Sequence, residues 1–165
     1  QSSLVSLLVA FAGIAVYISF RYDRRYAFLA LVALAHDVVI VCGIFAWLGL
    51  FFQLEVDSLF AVALLTIAGY SVNDTVVVFD RIRERTQQGS DLPLKLQVDQ
   101  AVSATLTRTL YTSGTTLMPL LALVFFGGST LYWFAIALAL GVVVGSWSSI
   151  ALAPSLLTLW QPQGD

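Results

Sequence analysis

The chain has 165 residues, of which 59% are hydrophobic and 11% charged, with a net charge of −2. Soluble domains carry about 25% charged residues, so the composition excludes an ordinary soluble globule and points to a membrane protein. The acidic balance leaves no basic patch for nucleic acid, and the lone Cys42 excludes an internal disulfide.

Five apolar stretches are long enough to cross a hydrocarbon core of about 30 Å, which needs about 20 helical residues. They cover approximately 4–20, 27–50, 58–79, 109–126 and 132–153. No β-barrel alternation appears, and helices are the other way to satisfy a backbone in lipid. The expected fold is therefore an all-α membrane protein, a helical transmembrane bundle of five spans.

An amphipathic helix over 92–107 is expected on the cytoplasmic surface, running into the fourth span. Leu94, Val98, Ala101, Val102 and Thr105 recur there at helical spacing. Ser90 or Asp91 is placed to cap it, with Pro93 in its first turn. After the fourth span, Gly127-Gly128-Ser129-Thr130 breaks an uncharged run into two helices. In the fifth span Ala137, Gly141, Gly145, Ser149 and Ala153 form a small-residue stripe, which predicts close approach of another helix.

All eight basic residues lie in two loops: Arg21, Arg24 and Arg25, then Arg81, Arg83, Arg85, Lys95 and Arg108. The positive-inside rule makes that side cytoplasmic. It places the N-terminus of the segment outside and its C-terminus inside.

The third span carries the sharpest signal, GYSVNDTVVVFDRIRER at 69–85. An Asp at the middle of a bilayer costs about 2.5–3.5 kcal/mol on insertion scales. Interhelical hydrogen bonds in membranes average about 0.6 kcal/mol, too little to offset it. A functional role for Asp74 is the expectation. Thr66, Tyr70 and Ser71 share a broad helical face with it, and Asn73 lies in the same polar run.

Arg108 stands at the entrance of the fourth span, and Thr112, Thr115 and Thr116 continue one face from it. Pro119 frees the carbonyl of Thr115. Two such helices predict a wet seam in which a carboxylate takes up and releases a proton. One charge crossing 100 mV yields about 2.3 kcal/mol, enough over repeated turnover to drive a conformational cycle. The three threonines serve equally well as packing groups. His36 and Asp37, in the second span, are open between proton transfer and packing.

Three segments, LAHDVVIVCGIFAW (34–47), GYSVNDTVVVFDRIRE (69–84) and TLTRTLYTSGTTLMPLLALVFFGGSTL (105–131), resemble the membrane part of the SecF family, whether a separate subunit or the SecF half of a fused SecDF. The resemblance covers essentially the whole chain in order and spacing. It implies a multi-pass inner-membrane protein of the resistance–nodulation–division superfamily, with the outside face periplasmic. It implies work with SecD beside the SecYEG channel, with YajC and YidC as further partners. The implied role is proton-driven assistance to preprotein export after the ATP-driven step. It implies Asp74 and Arg108 as the proton-transport residues, with no enzymatic activity, cofactor or metal. A whole SecF adds a first span and an extracytoplasmic domain, so the five spans here are expected to be its second to sixth.

Two rivals deserve weight. Asp37 and Asp74 on adjacent spans fit an intramembrane aspartyl protease dyad, but those enzymes use YD and GxGD contexts where this chain has AHD and VND. A lipid or drug pump of the same superfamily is opposed by the GYSVNDTVVVFDRIRE signature.

Overall fold

The computed structural model describes residues 2–89 and 92–160. The expected cap at Ser90 or Asp91 lies outside the described residues. The order is α1 (Ser2–Arg21), α2 (Arg24–Phe52), α3 (Ser58–Gln87), α4 (Leu94–Phe126), α5 (Gly128–Trp147), a π-helical turn (Ser148–Leu152) and α6 (Ala153–Trp160). Among the described residues four apolar segments are long enough to cross a membrane, the last running from Gly128 to Trp160, and the apolar part of α1, Val5–Arg21, is shorter. The molecule is an all-α membrane bundle.

Local chemistry sets the helix ends. The Asp57 carboxylate accepts the backbone N–H groups of Leu59 and Phe60 at 2.9 and 3.3 Å, capping α3. Between α4 and α5 the Gly127 N–H donates to the Leu123 carbonyl at 2.8 Å. A Cβ on Gly127 would lie 2.4 Å from that oxygen, and Gly128 has φ +74°, so this tight turn requires both glycines. The surface segment expected over 92–107 and the fourth span form one unbroken helix, α4.

Helix α5 continues into α6 through the π-helical turn, in which the Ala153 N–H bonds the Ser148 carbonyl five residues back. Pro154 follows immediately and has no N–H to offer the preceding turn. Such widened turns sit inside α-helices, frequently at functional sites.

Helix α5 packs through its small stripe. Ala137, Gly141, Gly145, Ser149 and Ala153 are all buried. A Cβ on Gly141 would fall 2.2 Å from Cγ1 of Ile67, and one on Gly145 would meet Cβ of Ser71 at 3.3 Å. Helices α3 and α5 therefore touch almost backbone to backbone, as expected of small residues four apart.

Two apolar clusters fill the bundle. One joins Ile18, Ala27, Ala30, Phe79, Ile82, Val98 and Leu157 at the arginine-bearing end. The other joins Val41, Phe45, Ala63, Ile67, Leu138 and Val142 toward the opposite end. On α2, Asp37 sits between Leu34 of the first and Val41 of the second.

At the arginine-bearing end, Arg21 pairs with Asp80 at 3.1 Å, and the Tyr22 hydroxyl donates to the same carboxylate at 2.8 Å. This ties the loop after α1 to the last turns of α3, so the two arginine-rich segments share one end of the bundle.

Candidate functional site

The close approach of α3 and α5 leaves a buried polar layer with two carboxylates. Asp74 on α3 is 7% exposed and Asp37 on α2 is 0% exposed. Among the described residues neither forms a salt bridge with a cation from another helix. Hydroxyl groups hold both.

Asp74 accepts from Ser149 at 2.6 Å through Oδ2 and from Thr109 at 3.2 Å through Oδ1. Asp37 accepts from Ser71 at 2.5 Å and from Ser148 at 2.7 Å, both through Oδ2. Its Oδ1 lies 3.0 Å from Nδ1 of His36. His36 also lies against Trp147, ring centroids 6.1 Å apart.

Further hydroxyls from α3, α4 and α5 gather one turn from Thr109. Ser113 donates to the Thr109 carbonyl at 2.7 Å, and its Oγ is 2.5 Å from Oγ of Ser146. The Tyr70 hydroxyl donates to Ser113 at 3.2 Å. Beside Asp74, the buried Oγ1 of Thr75 has no hydrogen-bond partner among the described residues.

Of the residues predicted from sequence, Asp37, His36, Tyr70, Ser71 and Asp74 come together in or beside this layer. Asn73 is exposed. Thr66 is exposed and returns its hydroxyl to the Val62 carbonyl.

Arg108 is exposed and forms no ion pair among the described residues. It lines an open cleft of about 380 Å³ with Asp80, Arg81, Glu84 and Thr105. Thr112, Thr115 and Thr116 bond carbonyls of their own helix, those of Arg108, Tyr111 and Thr112 respectively. Thr112 and Thr115 are exposed. The face of α4 that meets Asp74 carries Thr109 and Ser113 instead.

The sequence did carry a signal for that face. The buried positions Val98, Ala101 and Thr105 continue at four-residue steps to Thr109 and Ser113, so extending the period of the amphipathic segment finds both. Ser146, Ser148 and Ser149 stand together in an otherwise apolar stretch. Reading Ser149 only as a small packing residue missed its hydroxyl.

Fold and polar layer together define a multi-pass helical membrane protein with paired buried carboxylates. The chain belongs to the family described as protein export membrane protein SecD/SecF, C-terminal, which matches residues 1–163. It is 74% identical over 96% of its length to the protein translocase subunit SecF of Prochlorococcus marinus, covering 50% of that protein. It is 47% identical to SecF of a Synechocystis species over 98% of its length, covering 51%. The SecDF subunit of Thermus thermophilus is 42% identical over 98% of this chain, which covers 21% of it. A crystal structure of SecDF in a super-membrane-facing form superposes with a TM-score of 0.85 at 44% identity, over 93% of this chain and 20% of that one. The chain thus spans about half the length of the SecF relatives it matches.

Proposed function

We propose that this chain is the membrane part of a SecF-type accessory subunit. It lends the proton gradient to preprotein export across the inner membrane, alongside SecD and the SecYEG channel. YajC and YidC are further partners in this reading. The arginine-bearing end faces the cytoplasm, from the placement of all eight basic residues. Asp74 is the group that binds and releases the proton, and Arg108 is its electrostatic partner.

The observation that carries the reading is Asp74 itself: a buried carboxylate in a membrane-spanning helix, bonded by two hydroxyls and, among the described residues, in no salt bridge. Intramembrane carboxylates of this kind mark ion pathways and proton relays. Neutral hydroxyl donors can bond a carboxylate and equally accept from a carboxylic acid, so the surroundings suit both protonation states. The exposed Arg108 guanidinium lies one residue from Thr109 and lines the neighbouring cleft. The names of the relatives supply the export context.

The test is proton-gradient-dependent export in membrane vesicles carrying the complete complex. Asp74→Asn keeps the shape and removes the titration. It should abolish the gradient-stimulated phase and spare the ATP-driven one. Stimulation at the wild-type level would refute the proposal.

A further inference from the structure

Ser148 and Ser149 are neighbours in the π-helical turn, yet they serve different carboxylates on different helices. Ser148 donates to Asp37 on α2 and Ser149 to Asp74 on α3. The bare backbone at Gly145 permits this, because α5 lies there against Ser71, with Oδ2 of Asp37 3.6 Å from where a Cβ would stand.

Each hydroxyl has one hydrogen and two acceptors in reach. Ser149 lies 2.6 Å from Oδ2 of Asp74 and 2.9 Å from the Ser146 carbonyl. Ser148 lies 2.7 Å from Oδ2 of Asp37 and 3.1 Å from the Gly145 carbonyl. An ionised carboxylate wins this competition, since charge-assisted hydrogen bonds are roughly twice as strong as neutral ones. A protonated carboxyl becomes a donor itself, and the serine hydrogen is then free to turn to its own helix.

We propose that Asp37 is a positioning residue for the Asp74 site: by holding Ser148 it fixes the π-helical turn so that Ser149 faces Asp74. This rests on the proton-coupling reading above. His36 and Ser71 hold Asp37 from its own helix and from α3. With Ser148 anchored, a proton arriving at Oδ2 of Asp74 rotates the Ser149 hydroxyl and leaves the turn in place. The ionisable groups around the pair are His36 beside Asp37 and Arg108 on α4. Asp80, on the helix of Asp74, is held by Arg21 and Tyr22.

The experiment is infrared difference spectroscopy on the full-length protein with its partner subunits in lipid. The carboxyl bands of Asp74 are those that Asp74→Asn removes. Ser149→Ala should shift them, since their frequency follows the hydrogen bonds made. Asp37→Asn and Ser148→Ala should each reproduce that shift, and combining the two should add nothing. Both should reduce gradient-stimulated export about fivefold, the worth of roughly one hydrogen bond. Ser148→Ala removes a single hydroxyl and carries the test should Asp37→Asn fail to fold. Asp74 bands at their wild-type positions in folded Ser148→Ala would overturn the proposal. Full stimulated export by Asp74→Asn would instead refute the proton reading, while the band coupling between the two sites would stand.

Discussion

The Ser149 hydroxyl donates to Asp74 at 2.6 Å from a position 75 residues further along the chain. It does so from the stripe of small residues through which α5 reaches α3. One surface thus brings two backbones together and solvates a buried carboxylate. A larger residue at 149 would remove the donor and part the helices.

Arg108 separates function from stability. It is exposed and makes no ion pair among the described residues, so Arg108→Leu should leave the bundle within about 0.5 kcal/mol of wild type. The same variant should lose most gradient-stimulated export in vesicles. Arg108→Lys should keep part of it, since the charge survives without the planar fork. Thermal unfolding and vesicle export, measured on the same preparations, check both halves.

The α3–α5 contact is tightest at Gly141. Its Cβ would meet three side-chain atoms of Ile67 at 2.2 to 2.8 Å, and a β-branched neighbour has little rotamer freedom to yield. Gly141→Ala should destabilise the bundle by about 1–3 kcal/mol, the usual range for overpacking. Gly145→Ala, whose nearest neighbour is Cβ of Ser71 at 3.3 Å, should cost less. Thermal unfolding in detergent ranks them, and equal stability of all three proteins would mean the stripe is not a packing face.

Tyr22 gives the arginine-bearing end a pH dependence. Burial, and then the bond to the Asp80 carboxylate, push its hydroxyl well above the ordinary value of 10.0. The folded protein therefore keeps this proton where the unfolded chain loses it. The contribution is fully present below about pH 10 and drains away as the pH rises further. Melting temperatures should begin to fall above about pH 10, and Tyr22→Phe should flatten that part of the decline. An identical alkaline decline in the variant would assign it to other groups.

Orientation follows from the basic residues. A cysteine at Gln88, an exposed position at the arginine-bearing end, introduced in a Cys42→Ala background, should resist membrane-impermeant labelling from the periplasmic side of intact cells. Efficient labelling would invert the proposed topology.

Much of this protein was legible in its sequence for one reason: lipid offers the backbone no hydrogen-bond partners. Apolar runs must then be helices, and a carboxylate among them stands out. Helix class, the glycine turn before α5, the small stripe and Asp74 all follow from patterns within a single segment. The partners of Asp74 do not. The eye follows Arg108 to Thr112 and Thr115, whose hydroxyls return to their own helix. The residues that turn inward are the neighbouring Thr109 and Ser113. One residue along a helix is a rotation of about 100°, and only packing against α3 and α5 selects which face of α4 turns inward.

The sequence by itself determined that the chain is a helical membrane protein, where its helices lie, and that Asp74 is a carboxylate costly to bury in a span. The tertiary structure decided what offsets that cost. Ser149 reaches Asp74 from the π-helical turn and Thr109 from α4, while Ser71 and Ser148 reach Asp37. Periodicity reports which residues share a face of one helix. A hydroxyl bond of under 3 Å between helices depends on their relative height and rotation, set by close contacts such as Gly141 on Ile67, and those belong to no single stretch of sequence.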